Sequence, residues 1–180
     1  MKIIATKLKD LVVIQPGVFE DSRGYFFESY NKEVFFKHGI TTEFVQDNQS
    51  LSQKGVLRGL HFQNPPFAQA KLVRVISGSV LDVAVDIRRG SPTYGQYFSD
   101  ILSAANKMML YVPVGFAHGF LVLEDHTIFS YKCSNVYNKE SEDGISWCDP
   151  DLNINWGITA PSLSEKDKNA KRFKDYSSKF

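Results

Sequence analysis

The chain of 180 residues has two cysteines, Cys133 and Cys148, no CxxC pair, and no candidate metal ligands around either thiol. That argues against a disulfide framework and a zinc cluster. Two buried free thiols in a reducing compartment are expected instead. No run approaches the roughly 20 apolar residues that span a bilayer, and the apolar run of the N-terminal MKIIATKLKD is too short for a signal peptide. A cytoplasmic protein is expected. Charge of one sign is also missing: Lys plus Arg number 21 against 20 Asp plus Glu, a net charge of +1. Such a balance gives no global field for nucleic acid or an anionic membrane, so an anionic ligand must be held by a local basic cluster. There is no internal repeat, low-complexity tract or linker, and one domain over residues 1–180 is expected.

Helical signal is thin. Asn31 suits the cap of NKEVFFKHG (31–39), with Gly39 as its stop, and Ser164 suits the cap of EKDKNAK (165–171). What abounds is strand signal. Fourteen Phe and eight Tyr join β-branched residues in short runs broken by Gly, Pro, Asn and Asp. The segment 71–87 reads as two strands meeting at Ser77-Gly78. In the second, Leu81, Val83, Val85 and Ile87 alternate with Asp82, Ala84 and Asp86. Residues 108–125 read as two more strands around Pro113 and Gly115. A further strand in 126–138 has Phe129, Tyr131 and Cys133 on one face. Many short strands with turns between them predict an all-β sandwich or barrel.

Polar residues interrupt these runs in an uneconomical way. Arg58 and His61 lie in VLRGLHFQ, Lys71 and Arg74 in KLVRV, His118 in PVGFAHGF, and Tyr131 in FSYKC. Burying such groups without partners is expensive. Each alone has an ordinary structural explanation, but together they suit a barrel interior that holds a polar, anionic ligand. Arg58 and His61 pose a geometric problem, because residues three apart on a regular strand point to opposite faces. An in-strand glycine often marks a bulge, so Gly59 is the residue that would let both enter one cavity.

Pro113, Gly115 and His118 fit P-x-G-x-x-H, the second short motif of cupin barrels. The first motif of metal-binding cupins, H-x-H with a following Glu, is reduced here to His61-Phe62-Gln63. Two imidazoles make a poor divalent-metal site, so no metal and no cofactor are expected.

RGYFFESYN, FVQDNQS, VLRGLHFQ, KLVRV, VDIRRGSPTYG, VPVGFAHGF and LSEKD, in order over roughly residues 10–170, resemble the dTDP-4-dehydrorhamnose 3,5-epimerase family. The loop 64–70 and the tail after Lys171 match less distinctly. The resemblance implies a cupin jelly-roll β-barrel with a few short flanking helices, acting on a dTDP-4-keto-6-deoxy sugar at the carbons flanking its ketone. His61 would be the base, paired with Asp167, and Tyr131 the proton donor. Lys71, with Arg58 as a second cation, would stabilise the enolate. Tyr137 would stack on thymine. Arg23, Glu28, Gln46, Asp47, Asn48, Arg58, Lys71, His118, Glu142 and Lys166 would contact the nucleotide sugar. The family also implies a homodimer in which N-terminal residues such as Arg23 and Glu28 reach the partner's site. Rival readings are an epimerase acting at C3 or C5 alone, a non-catalytic sugar-binding cupin, and a metal-dependent cupin oxygenase.

The missing second histidine of the first motif makes one expectation testable at once. Exhaustive chelation is expected to leave turnover unchanged. Turnover lost to a chelator and restored by one particular divalent ion would overturn it.

Overall fold

The computed structural model describes residues 1–180. Thirteen strands follow one another along the chain. The first four are β1 (Lys2–Ala5), β2 (Val12–Gln15), β3 (Phe19–Asp21) and β4 (Gly24–Phe26). After helix α1 (Lys32–Lys37) come β5 (Gln46–Ser52), β6 (Leu57–Gln63), β7 (Lys71–Ser77), β8 (Ser79–Asp86) and β9 (Tyr97–Ser103). Then come β10 (Met109–Val112), β11 (Phe116–Val122), β12 (Thr127–Cys133) and β13 (Glu142–Gly144), and finally helix α2 (Glu165–Lys168). The sheets run β1-β2-β10-β7-β12-β5 and β13-β6-β11-β8-β9, with β3-β4 as a separate hairpin. All pairings between these strands are antiparallel. This is the all-β jelly roll that the sequence predicts.

The chain passes from sheet to sheet at the punctuation noted in the sequence. β7 belongs to the six-stranded sheet and β8 to the five-stranded one. Gly78 turns the corner at φ +77°, where a Cβ would lie 2.2 Å from Thr127 Oγ1. Pro113 and Gly115 mark the equivalent crossing from β10 to β11. Both helices start where expected. Asn31 Oδ1 accepts from the amides of Glu33 and Val34, and Ser164 Oγ from that of Asp167. The second helix ends at Lys168 rather than Lys171. Asn169 caps it, donating through Nδ2 to the Glu165 carbonyl, and Lys171 is drawn into a bridge with Ile145.

Two apolar layers enclose the five-stranded sheet. Between the sheets, Val73, Val75, Leu110, Phe120 and Phe129 fill the closed end of the barrel. On the other face, Leu57, Leu60, Phe62, Val83, Val85 and Ile87 pack against Leu152, Trp156 and Tyr176 of the C-terminal segment. Every side chain of β11 is buried as a result. The expectation of two buried cysteines holds only for Cys133. Cys148 is exposed, because it lies on the turn leading from β13 into the C-terminal segment, outside both layers.

The fully buried Asp86 organises the loop 87–96. Its carboxylate accepts from Arg88 Nε and Nη2 at 2.9 and 2.8 Å, Ser91 Oγ at 2.6 Å and Thr93 Oγ1 at 2.7 Å. Burial raises its pKa, but the hydrogen bonds from Arg88, Ser91 and Thr93 together outweigh burial and bring it from 3.8 down to about 2. A group depressed on folding stabilises the fold above its unfolded pKa and loses that contribution as pH falls through the folded value. Asp86→Asn is therefore expected to cost on the order of 2 kcal/mol at neutral pH. The gap between variant and parent should close between about pH 4 and pH 2. Urea unfolding across that range checks it; a gap independent of pH would refute the assignment.

Candidate active site

The extra residue in β6 shapes the cavity. His118 of β11 faces His61, and Phe120 faces Arg58, so β6 uses three steps where β11 uses two. Gly59 is the surplus residue, at φ +134°. A Cβ on it would lie 2.5 Å from Gly119 Cα, so the two strands approach at paired glycines. The bulge resets the alternation. Leu57, Leu60 and Phe62 face the outer apolar layer, while Arg58 and His61 both enter the barrel.

There, Arg58, His61, Lys71, His118 and Tyr131 line one cavity of about 160 Å³. His61 Nε2 lies 2.5 Å from Asp167 Oδ1. The hydrogen bond assigns the Nε2–H tautomer and leaves Nδ1, which has no partner in the chain, open to take a proton. Ser164 Oγ donates to Asp167 Oδ2 at 2.8 Å, so the cap of α2 also orients the carboxylate. Asp167 is 4% exposed. Burial pushes its pKa up, but the His61 and Ser164 hydrogen bonds and the nearby charges of His61 and Lys166 prevail and lower it. Isolated bridges Val56–Ser162 and Ile145–Lys171 hold α2 in place.

His118 has a carboxylate of its own. Its Nε2 lies 2.9 and 3.0 Å from the two oxygens of Asp82, which is completely buried. No three His, Cys, Asp or Glu side chains converge as a metal site. Asp82 and Ser164 were not among the expected site residues. Asp82 lies on the second face of an alternating strand. Its signal was that both faces are covered, which the alternation alone does not reveal.

Lys71 and Arg58 take part in none of the ion pairs. The Lys71 ammonium stands 5.7 Å from the centre of the Tyr131 ring, and burial lowers its pKa. Arg58 is held by Ser52 Oγ, which accepts from Nε at 3.3 Å and Nη2 at 3.1 Å. Burial is also the main reason that the Tyr131 pKa is raised. Tyr131 and Lys71 belong to the six-stranded sheet and His61 to the five-stranded one, so they meet across the barrel.

A second recess adjoins the first and contains Gln46, Asn48, Tyr137 and Glu142. Glu142 accepts from Tyr137 Oη at 3.1 Å and pairs with Lys166 at 2.6 Å. Tyr137 keeps 55% of its surface exposed. Three expected residues lie elsewhere. Asp47 is on the outer side of β5, paired with Lys132 at 2.9 Å. Arg23 sits at the exposed turn of β3-β4, bound to Asp21 at 2.6 Å, and Glu28 accepts from Asn31 Nδ2. Arg23 and Glu28 line neither recess of their own chain.

A jelly roll in which His61 and His118 are each tied to a carboxylate is a cupin barrel. The chain belongs to the family of dTDP-4-dehydrorhamnose 3,5-epimerase, whose model matches residues 5–175. The dTDP-4-dehydrorhamnose 3,5-epimerase of Shigella flexneri is 52% identical over 97% of each chain. The crystal structure of the Elizabethkingia anophelis enzyme of that name superposes with a TM-score of 0.93 at 54% identity, covering 97% of each chain. That of the Legionella pneumophila dTDP-6-deoxy-D-glucose-3,5-epimerase in complex with dTDP-4-keto-L-rhamnose gives 0.92 at 49% identity, over 96% of this chain and 93% of that one.

Asp167→Asn keeps a side chain of the same shape but removes the charge facing His61. Turnover is expected to fall by about 10²-fold or more with the fold intact. Steady-state kinetics with circular dichroism check this, and an unchanged rate would remove Asp167 from the machinery.

Proposed function

We propose that the protein inverts C3 and C5 of dTDP-4-dehydro-6-deoxy-D-glucose to give dTDP-4-dehydro-L-rhamnose, a step toward dTDP-L-rhamnose. The observation that carries this reading is the placement of a carboxylate-held histidine and a buried tyrosine on opposite sheets of one cavity, with an unpaired ammonium beside them. Inversion needs a proton taken from one face of a carbon and another delivered to the opposite face, and two sheets supply the two faces.

His61 takes the proton α to the C4 ketone, becoming imidazolium beside the Asp167 carboxylate. The C–H electron pair moves into the ring and onto the C4 oxygen. Lys71, with Arg58 as a second cation, stabilises that enolate. Tyr131 then gives its proton to the far face of the carbon, and solvent restores both groups. The same cycle serves the second carbon. Burial supports the tyrosine's role, because a phenol held above its reference pKa of about 10 keeps its proton at neutral pH.

The exposed ring of Tyr137 suits stacking on thymine, and Gln46, Asn48, His118, Glu142 and Lys166 suit the rest of the nucleotide sugar. Arg23 and Glu28 act in a homodimer, offered to the partner's cavity. Their distance from their own cavity supports this, as do the exposed Phe19, Tyr25 and Phe26 around Arg23. The free thiols fit a cytoplasmic enzyme, and no helix is long and apolar enough to cross a membrane.

Tyr131→Phe keeps the ring and deletes the proton. In deuterium oxide it is expected to exchange deuterium into the substrate with retained configuration, while inverted product falls about 10²-fold. Product NMR reads both. Inversion at the parental rate at both carbons would exclude Tyr131 as the acid, and label entering only one carbon in the parent protein would identify an epimerase acting at a single centre.

A further inference from the structure

β5 presents four residues inward, Gln46, Asn48, Ser50 and Ser52, and all are polar. Three of them are engaged. Gln46 Oε1 accepts from the Tyr137 amide and its Nε2 donates to Asn48 Oδ1. Asn48 Nδ2 donates to Cys133 Sγ at 3.7 Å. Ser52 Oγ holds Arg58. The fourth has nothing: Ser50 Oγ is the one buried side-chain nitrogen or oxygen in the molecule without a hydrogen-bond partner.

A buried hydroxyl left unpaired costs stability, and an alanine would fill the same place opposite Phe129 without that cost. The cost has a purpose if the partner arrives with the ligand. Ser50 lines the cavity it shares with Arg58 and His118 and is absent from the recess of Tyr137 and Glu142, while His61, Lys71 and Tyr131 border both. It therefore stands on the hexose side of the reacting groups rather than on the thymine side. The cations in that cavity suit the enolate and the diphosphate. A neutral hydroxyl, which both donates and accepts, suits a sugar hydroxyl.

We propose that Ser50 binds a ring hydroxyl of the 4-keto sugar and so orients the ring between His61 and Tyr131. The proposal rests on the epimerase reading above and extends it to the sugar itself.

Ser50→Ala decides the matter through three measurements on one variant. Its melting temperature is expected to equal or exceed that of the parent, since a buried group without a partner is removed. Affinity for dTDP, which keeps the deoxyribose but lacks the hexose, should stay within about twofold. The kcat/KM for dTDP-4-keto-6-deoxy-D-glucose should fall about 10-fold, the scale of one neutral hydrogen bond. Parental kcat/KM in the variant would overturn the role of Ser50 while leaving the epimerase reading untouched. A lower melting temperature with parental kinetics would make Ser50 a structural hydroxyl and likewise overturn it. Weakened dTDP binding in proportion to kcat/KM would place Ser50 on the nucleotide and not the sugar. A parent protein that neither exchanges nor inverts this substrate would overturn both readings.

Discussion

Two backbones meet at Gly59 and Gly119 with no room for a side chain on either, and the polar end of the barrel depends on that contact. A Cβ on Gly119 would lie 2.8 Å from the Arg58 carbonyl, just as one on Gly59 would meet Gly119. Close approach lets β6 carry an extra residue while staying paired to β11 on both sides of it. Without the extra residue, the period of two would send either Arg58 or His61 into the apolar layer of Leu57, Leu60 and Phe62. Both would be costly there, because neither has a partner on that side.

The distribution of carboxylates decides which cations in the cavity are left unpaired. Asp167 and Asp82 each take one imidazole, and Glu142 takes Lys166. No acidic side chain takes Lys71 or Arg58, which stand ready for the charge of a ligand. Burial works in the same direction on two neighbours. It disfavours the ammonium of Lys71 and the phenolate of Tyr131, so both groups sit closer to their neutral forms until an anion enters. A site built this way spends its positive charge on whatever develops negative charge inside it.

Much of this was legible in the chain. The caps at Asn31 and Ser164 were local signals and gave both helix starts. The corner at Gly78 and the break at Pro113 and Gly115 were equally local. The bulge at Gly59 followed from a conflict between period and residue type, and it is there. What the sequence hid was long-range. The partnership of Asp82 with His118 depends on two strands lying side by side, and the exposure of Cys148 on which segments the C-terminal stretch covers. Asp47 was grouped with its neighbours Gln46 and Asn48, but adjacent residues on a strand point opposite ways, and it pairs with Lys132 outside. The proposed role of Arg23 and Glu28 at a second copy's site has no counterpart in one chain's periodicity.

The carboxylate that holds His61 lies 106 residues further along the chain, on a four-residue helix close to the C-terminus. Every strand of both sheets has been synthesised before that helix leaves the ribosome. During synthesis the barrel can therefore close and the cations can take their places while the histidine still lacks its partner. The pair of His61 and Asp167 is completed last, when the segment that covers the five-stranded sheet docks and carries Asp167 with it. A chain truncated ahead of α2 would keep every strand of the two sheets but leave the imidazole of His61 without its carboxylate.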